Sequence, residues 1–283
     1  MIGRPVLVRL AQAAGVPERS QEKDYVLAWL IAVMATGGGG GLAFKGGTAL
    51  RRCYFRGYRY SEDLDFTAVA GGPDRPLLTL ATEWCQWVGQ EAGIRAAASA
   101  DSQAPERRVW IGYTGPLGGF RDREIKLDLA TDETILLKLQ PRLLLSEYGD
   151  LQDESFTVPT YDRIEIWAEK VRSLMQRTEP RDVYDLHRLA GDDPRIALRG
   201  LDPFRRKASA KGLRADDLGS KLQVREGTFR KMWDARLVDQ VRSLPEFAEV
   251  WRTLMRCLRR HIDWRDPDQL DHIGRDPGHR ILA

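Results

Sequence analysis

The stretch AFKGGTALRRCYFRGYRYSEDLDF, residues 43–66, has a pattern typical of a strand, a glycine turn, a helix and a second strand. A short apolar run ending at Phe44 leads into Lys-Gly-Gly-Thr at 45–48. Glycine lets the backbone approach a ligand closely, and the free N–H groups at the start of a helix favour an anion such as phosphate. The turn alone also fits a simpler interpretation, a chain reversal capped by Thr48.

Two carboxylates lie near the end of this stretch. Because side chains alternate along a strand, Asp63 and Asp65 share one face, while Leu64 and Phe66 share the other. Adjacent carboxylates repel each other, and Mg²⁺ would relieve that repulsion, since it takes carboxylate oxygens together with substrate phosphates. Asp-x-Asp is also common on the solvent face of an edge strand. Its combination with the glycine turn favours a site for a nucleoside triphosphate and its metal.

Composition restricts the class of protein. The 283 residues are 42% hydrophobic and 30% charged, as in a globular protein, and the formal net charge is +3. We expect no membrane association, because no apolar run approaches the roughly 20 residues that span a bilayer. The N-terminus lacks the long apolar segment of a signal peptide. Three widely spaced cysteines fit reduced thiols, so we expect a cytoplasmic protein.

The remaining N-terminal pattern predicts more helices and strands. We expect a helix over 20–35 capped by Ser20, a helix over 76–92, and strands over 108–114 and 124–130 that form a hairpin or meander. In the last strand Lys126 and Asp128 share a face. Asp128 is therefore a third carboxylate on a strand that could pair beside the one carrying Asp63 and Asp65. An exposed strand aspartate without function remains an alternative.

Residues 160–190 carry a second group of charged residues. A helix over 161–176 places Lys170 at the edge of an apolar stripe, and Pro180 starts the next helix. In that second helix Asp182 lies near the centre of the apolar face and Asp185 at its border. A buried aspartate needs a partner, which Lys170, Arg181 or a helix N-terminus could provide. An ordinary structural Lys–Asp pair is the alternative to a catalytic role.

Three segments follow from these patterns. We predict an α/β core over 1–155 and a mainly helical region over 156–262, with helices around 202–210, 225–243 and 246–261. An irregular tail is expected over 263–283, which lacks apolar periodicity.

Residues 20–190 resemble, in order, the AbiEii-type nucleotidyltransferase toxins, which include the mycobacterial MenT toxins. The resemblance lies in FKGGTALRRCYFRGYRYSEDLDF, IKLDL and WAEKVRSLMQRTEPRDVYDLHRL. It implies an α+β fold of the DNA polymerase β-like nucleotidyltransferase superfamily: a mixed sheet flanked by helices, followed by a mainly helical C-terminal region that contributes a lysine and an aspartate to the active-site cleft.

The resemblance also implies residue roles. Gly47 and Thr48 would hold the triphosphate, with Lys45 and Lys170 as further NTP-binding groups, and Asp63 and Asp65 would bind Mg²⁺. The implied catalytic residues are Asp63, Asp65, Lys170 and Asp185. Asp128 and Asp182 are additional carboxylates, and Arg181 would support Asp185. Ser61, just before the acidic pair, is a hypothetical regulatory phosphorylation site, because a phosphate there would add negative charge beside the metal ligands.

The function implied by the resemblance is that of a toxin of a toxin–antitoxin or abortive-infection system. It would transfer nucleotides from an NTP to the 3′ end of tRNA in an Mg²⁺-dependent reaction and so block translation. NTP, tRNA and an antitoxin are the expected partners. Two alternatives use the same residues: nucleotidylation of a protein target, and an NTP-binding regulatory module without transfer activity.

Basic residues suggest where RNA binds. One group follows residue 204 and consists of Arg205, Arg206, Lys207, Lys211 and Arg214. A second, on the last helix, consists of Arg256, Arg259 and Arg260. A third, Arg51, Arg52, Arg56 and Arg59, could equally bind nucleotide phosphate, RNA or an antitoxin. Such runs are usually solvated surfaces, so a purely solvating role is the alternative.

Overall fold

We describe the fold from a computed structural model, over residues 1–37, 40–119, 123–151 and 156–262. The chain divides into two compact units. The sheet unit comprises Met1–Asp162 together with Leu237–Leu244. The helical unit comprises Arg163–Arg236 and the described residues from Pro245 onward.

The sheet unit contains four helices and seven strands within its described residues. The helices are α1 (Arg4–Ala14), α2 (Glu18–Gly37), α3 (Gly46–Ala49) and α4 (Leu77–Ala92), and α3 continues directly into a π-helical turn over Leu50–Tyr54. The strands are β1 (Leu42–Lys45), β2 (Asp63–Ala68), β3 (Arg95–Ala100), β4 (Arg108–Thr114), β5 (Glu124–Ala130), β6 (Gln140–Leu143) and β7 (Thr157–Thr160).

The seven strands form one mixed sheet in the order β3-β4-β5-β2-β1-β7-β6. Strands β1 and β2 are antiparallel, whereas β2 pairs in parallel with β5, and β1 pairs in parallel with β7. The strand that carries the Asp-x-Asp pattern is therefore central, with β1 on one side and β5 on the other. The alternative of an exposed edge strand is wrong for β2.

One face of the central strands is apolar and packs against helix α4. Phe44, Phe66 and Trp84 are buried, with ring centroids 5.3 Å apart for the first two and 6.3 Å for the last two. Burial alternates along β2 and β5, so the apolar residues are inside and the charged residues lie on the opposite face. This alternation places Asp63, Asp65 and Asp128 on the face away from α4.

Most of the predicted elements of this unit are confirmed. The helix over 20–35 lies within α2, and the strands over 108–114 and 124–130 have the predicted bounds and pair antiparallel. The Ser20 cap is wrong: α2 begins at Glu18, and the Ser20 amide already donates to the Pro17 carbonyl at 3.0 Å. Pro17 therefore sets the start of the helix.

Three strands escaped the sequence analysis, and each has an atypical composition. Strand β3 is RAAASA, while β6 (QPRL) and β7 (TVPT) each contain a proline, which cannot donate to a sheet ladder. Tertiary pairing overrides these weak local preferences. Strand β7 extends the sheet beyond residue 155, to Thr160, and the sheet unit ends at Asp162.

The helical unit contains α5 (Arg163–Gln176), α6 (Pro180–Asp192), α7 (Ile196–Ala210), α8 (Leu218–Leu237) and α9 (Phe247–His261). The apolar stripe predicted for α5 is buried as expected. Helix α7 packs on it at Gly200, where an added Cβ would collide with the Trp167 ring. A glycine is therefore needed at this helix crossing.

The predicted α+β fold, a mixed sheet with flanking helices followed by a helical C-terminal region, is confirmed. The predicted tail over 263–283 lies outside the described residues. In the part of the chain that the structure describes, we found no helix long and apolar enough to cross a membrane.

Candidate functional site

The glycine turn lies directly against a β2 carboxylate. Lys45, the last residue of β1, is paired in register with Asp65. Gly46 follows with φ +79°, a left-handed conformation, and an added Cβ there would collide with Asp65 Oδ2. A Cβ on Gly47 would collide with the Arg59 guanidinium. Gly46 is therefore required by its backbone conformation and its close approach to Asp65, and Gly47 lets the Arg59 guanidinium lie against the turn.

Thr48 fastens the turn to β2. Its side chain is buried, and Oγ1 donates to the backbone carbonyl of Asp63 at 2.5 Å. The turn and the first carboxylate of the pair are thereby held together by a hydrogen bond between neighbouring elements. This residue does more than cap a chain reversal, which was the simpler interpretation of the turn.

The predicted third carboxylate is in place. Strand β5 pairs in parallel with β2, and Asp65 is in register with Asp128. Burial raises the pKa of Asp65 above its usual range, with the negative charge of Asp63 adding to the effect and the cations Lys45 and Lys126 opposing it. A bound cation would offset both the burial and the repulsion.

Two cations that the sequence analysis did not assign to the site complete this face of the sheet. Lys126 Nζ lies 2.8 Å from Asp128 Oδ2 and 3.7 Å from Asp63 Oδ2. Arg108 Nε of β4 lies 2.6 Å from Asp128 Oδ1. The alternation of β5 already placed Lys126 on the carboxylate face, so this signal was available. The role of Arg108 depended on the β4–β5 register, which the sequence does not give.

The residues present fit Mg²⁺ with few protein ligands. No group of three or more His, Cys, Asp or Glu side chains in the described ranges is arranged to hold a metal. Magnesium usually binds proteins through one or two carboxylates and completes its shell with water and substrate phosphates. The pair Asp63 and Asp65, half-buried beside the glycine turn, matches that donor set.

In the helical unit, Lys170 of α5 bridges two aspartates of α6. Its Nζ lies 2.9 Å from Asp182 Oδ1 and 2.7 Å from Asp185 Oδ2, and all three residues are buried. Of the partners that the sequence offered for a buried aspartate, Lys170 contacts both. Because a buried charge without a partner is costly, this cluster also contributes to holding the two helices together.

Asp182 has a second cation, Arg177, which the sequence analysis did not name. Arg177 Nε lies 2.9 Å from Asp182 Oδ2, whereas Arg181 pairs with Glu179 at 3.6 Å. Burial raises the pKa of Asp182, but Lys170 and Arg177 outweigh it and hold that pKa below its usual range. Asp182 therefore stays ionised and fixes the position of Lys170.

Lys207 does not belong to an RNA-binding surface. Its side chain is buried, and Nζ lies 2.8 Å from Glu165 Oε1 of α5. The prediction of an RNA contact is wrong for this residue, because Lys207 lies on the buried face of α7 with Phe204 and Ala208 and its side chain reaches a buried carboxylate. Arg205, Arg206 and Arg214 are exposed, and Lys211 is half-buried.

The arginines after the glycine turn are mostly structural. Arg51 and Arg52 are buried and both pair with Asp24 of α2 and with Glu147. Arg59 is buried too and donates to Gln240 Oε1 at 3.2 Å. Arg56 alone of the four is exposed. Arg51 and Arg52 are thus engaged by carboxylates within the fold, whereas the Arg59 guanidinium lies against Gly47 of the glycine turn.

Ser61 is buried, with 6% of its surface exposed. Its Oγ lies close to the position that a Gly47 Cβ would take, at 3.0 Å. A kinase reaches this hydroxyl only after the loop before β2 opens. Regulatory phosphorylation at Ser61 stays a prediction that requires such an opening.

Comparison with known proteins agrees with this geometry. The sequence matches a family model over residues 31–258, and the match defines the class: the protein is a nucleotidyltransferase toxin. The family is described as "Nucleotidyl transferase AbiEii toxin, Type IV TA system", and the chain belongs to it. The predicted family is confirmed. Membership implies an NTP as substrate and an antitoxin as partner.

The fold is similar to that of MenT4, a nucleotidyltransferase toxin from Mycobacterium tuberculosis H37Rv. The TM-score is 0.71 at 18% sequence identity, and the alignment covers 96% of this chain and 93% of MenT4. At that identity the likeness concerns the fold alone. A search of curated protein sequences returned no significant match.

Proposed function

We propose that this toxin transfers nucleotides from an NTP to the 3′ end of tRNA in an Mg²⁺-dependent reaction, and that this blocks translation. The observation that carries the proposal is the glycine turn of residues 46–48 packed over the paired carboxylates Asp63 and Asp65. The turn offers backbone N–H groups to phosphate, and the carboxylates offer oxygens to a metal.

Asp63 and Asp65 would hold the metal ion. When bound, Mg²⁺ supplies positive charge that orients the triphosphate and stabilises the negative charge of the leaving group. The chain itself positions the reactants: Lys45 lies in register with Asp65 at the start of the turn, and Gly46 and Gly47 let Asp65 and the Arg59 guanidinium lie directly against the turn.

The transfer is a substitution at the α-phosphorus. The 3′-hydroxyl oxygen of the RNA forms a bond to the α-phosphorus, the bond between the α- and β-phosphates breaks, and pyrophosphate leaves with its electron pair. The hydroxyl proton is released to solvent. We propose that Lys170 adds positive charge for the phosphates and that Asp185 completes the catalytic set, with Asp182 holding Lys170 in place through their 2.9 Å contact.

The helical unit offers a basic surface for RNA. A groove of about 800 Å³ between α8 and α9 is lined by the apolar residues Trp251 and Met255 and by five arginines: Arg230, Arg252, Arg256, Arg259 and Arg260. Residues 252, 256 and 259 follow one stripe of α9, because helix positions three or four apart are neighbours. Arg230 pairs with Glu226 at 2.8 Å. We name this set the α9 arginine groove and propose that it binds the RNA backbone.

Labelled NTPs test the proposal directly. Each of the four α-labelled NTPs is incubated with purified tRNA, Mg²⁺ and the toxin, and the label is located on a gel. We expect label at the tRNA 3′ end with wild type, and none with Asp63→Asn or with tRNA whose terminal diol has been oxidised. Asp74→Asn, at an exposed loop position, is the matched control and should retain activity.

Other outcomes would overturn parts of the proposal. Label in a protein of the extract instead of in tRNA would establish a different acceptor. Nucleotide binding without any transferred label would establish a binding module. Full activity of Asp63→Asn would exclude the carboxylate pair as the metal site.

A further inference from the structure

Lys126 occupies a position beside the carboxylate pair that the proposed function does not use. It is in register with Asp63 across β2 and β5. Its Nζ lies 3.7 Å from Asp63 Oδ2 and 2.8 Å from Asp128 Oδ2. The lysine charge therefore lies between the first carboxylate of the pair and the third carboxylate of the sheet.

Both oxygens of Asp128 are engaged by cations. Oδ2 accepts the Lys126 contact, and Oδ1 accepts a hydrogen bond from Arg108 Nε at 2.6 Å. Arg108 is also in register with Asp128 across β4 and β5. Lys126 lies two residues before Asp128 on β5, and Arg108 is paired with Asp128 from β4, so both partners come from the sheet itself.

The carboxylates on this face are already matched by cations of the chain. Asp63, Asp65 and Asp128 carry three negative charges, and Lys126, Arg108 and Lys45 bring three positive charges to the same face. A second divalent cation placed among them would lie close to the positive charge of Lys126. Its nearest carboxylate on that side would be Asp128, whose two oxygens already contact Lys126 and Arg108. In the described ranges no three carboxylates are arranged around one metal position.

We propose that Lys126 takes the place of a second metal ion. It holds Asp128 out of the metal shell, so that a single divalent ion binds to Asp63 and Asp65. Lys126 is then a positioning residue, which acts on the metal through Asp63 and Asp128. The inference rests on the proposed metal role of Asp63 and Asp65, and it concerns the number of ions, which that role leaves open.

Counting Mn²⁺ ions tests the inference without any transfer reaction. The purified full-length protein is titrated with Mn²⁺ in the absence of NTP, and bound ions are counted by electron paramagnetic resonance and calorimetry. We expect wild type to bind one ion. Lys126→Met keeps the length of the side chain but removes its charge, which frees Oδ2 of Asp128 while Arg108 still holds Oδ1, and should admit a second ion.

Removal of the lysine charge should also strengthen binding of the first ion. At a contact distance of a few ångströms, the loss of one repelling charge is expected to raise Mn²⁺ affinity on the order of tenfold. Lys126→Arg retains the charge and should still bind one ion with wild-type affinity. Lys126→Gln is the second neutral variant, for use if Lys126→Met does not fold.

Arg108→Gln tests whether a second ion is admitted by release of an Asp128 oxygen alone or requires loss of the Lys126 charge. This variant releases the other oxygen of Asp128 but leaves Lys126 beside Asp63, so we expect it to bind one ion. Two ions in wild type, or a single ion in the neutral Lys126 variants, would overturn the inference.

The variant Asp63→Asn distinguishes failure of the inference about Lys126 from failure of the proposed function. If Asp63 is a metal ligand, Mn²⁺ binding is lost in this variant whatever residue occupies position 126. Retained Mn²⁺ binding in Asp63→Asn would instead remove the metal site itself, and with it the proposed function.

Discussion

Gly46 lies so close to Asp65 that a side chain at residue 46 would collide with the Asp65 carboxylate. The turn and strand β2 thus pack so closely at this point that no space remains for a Cβ atom on residue 46. A second glycine of the same unit, Gly57, has a similar φ of +64°, but an added Cβ there would meet open space. The two positions separate the effect of backbone conformation from the effect of close approach.

Gly46→Ala should therefore damage the site far more than Gly57→Ala. A non-glycine residue in the left-handed region costs about 1–2 kcal/mol, and both variants bear this cost. Only Gly46→Ala also displaces Asp65, so we expect its NTP affinity to fall by at least about tenfold, which corresponds to about 1.4 kcal/mol. Calorimetry with a non-hydrolysable NTP and urea unfolding measure the two effects. Equal NTP affinity of the two variants would contradict the role assigned to the turn.

Lys170→Ala should destabilise the helical unit. The substitution removes the cation that lies 2.7 Å from buried Asp185 Oδ2 and one of the two cations that contact Asp182 among the described residues. Breaking one partner of a buried ion pair typically costs about 3–5 kcal/mol. Loss of toxicity in this variant is thus expected to combine a catalytic and a structural effect.

A triple variant resolves these two effects. Lys170→Ala with Asp182→Asn and Asp185→Asn removes the uncompensated charges and should recover part of the free energy of unfolding, measured in urea. It should remain inactive in the labelling assay. Recovery of activity together with stability would show that the cluster is purely structural.

The substitution Asp24→Asn should change how the free energy of unfolding depends on pH. Burial raises the pKa of Asp24, but Arg51 and Arg52 outweigh it and hold the pKa below the ordinary value of 3.8. A carboxylate with a lowered folded-state pKa stabilises the protein above its unfolded-state pKa, and this contribution disappears as the pH falls through the folded-state value. Wild type should exceed Asp24→Asn by about 3–5 kcal/mol at pH 7, since a buried pair is broken.

The difference between these two proteins should narrow below about pH 4, where the unfolded-state carboxylate of wild type takes up its proton. Urea unfolding from pH 7 to pH 3 measures this difference. Asp74→Asn, at an exposed loop position, is the control and should follow wild type at every pH. A constant difference over the whole range would contradict the ion-pair explanation.

Substitutions in the α9 arginine groove should weaken RNA binding through charge. Each of the substitutions Arg252→Gln, Arg256→Gln and Arg259→Gln removes one proposed phosphate contact. Each should make the negative slope of log affinity against log salt less steep by about 0.7–1. Filter binding of tRNA at several salt concentrations gives the slope. Lys231→Gln, at an exposed position of α8 outside the groove, is the matched control. An unchanged slope in all three variants would exclude this surface as the RNA site.

The sequence predicted the central motif because its geometry is local. Alternation along a strand suffices to place Asp63 with Asp65 and Lys126 with Asp128, and helix periodicity suffices to bring Lys170 to the side of the apolar stripe. The sequence did not predict β3, β6 and β7, because their alanine and proline content gives a weak preference for strands. Those strands form because neighbouring strands supply the hydrogen-bond partners.

Charge alone did not reveal whether a basic residue faces solvent. Arg51, Arg52 and Lys207 have the same appearance in the sequence as exposed basic residues, yet each pairs with a buried carboxylate from a distant part of the chain. Residue spacing thus determined which acidic and basic side chains share a face. Only the tertiary structure decided which of them meet, because ion pairing depends on distances between elements that sequence separation does not set.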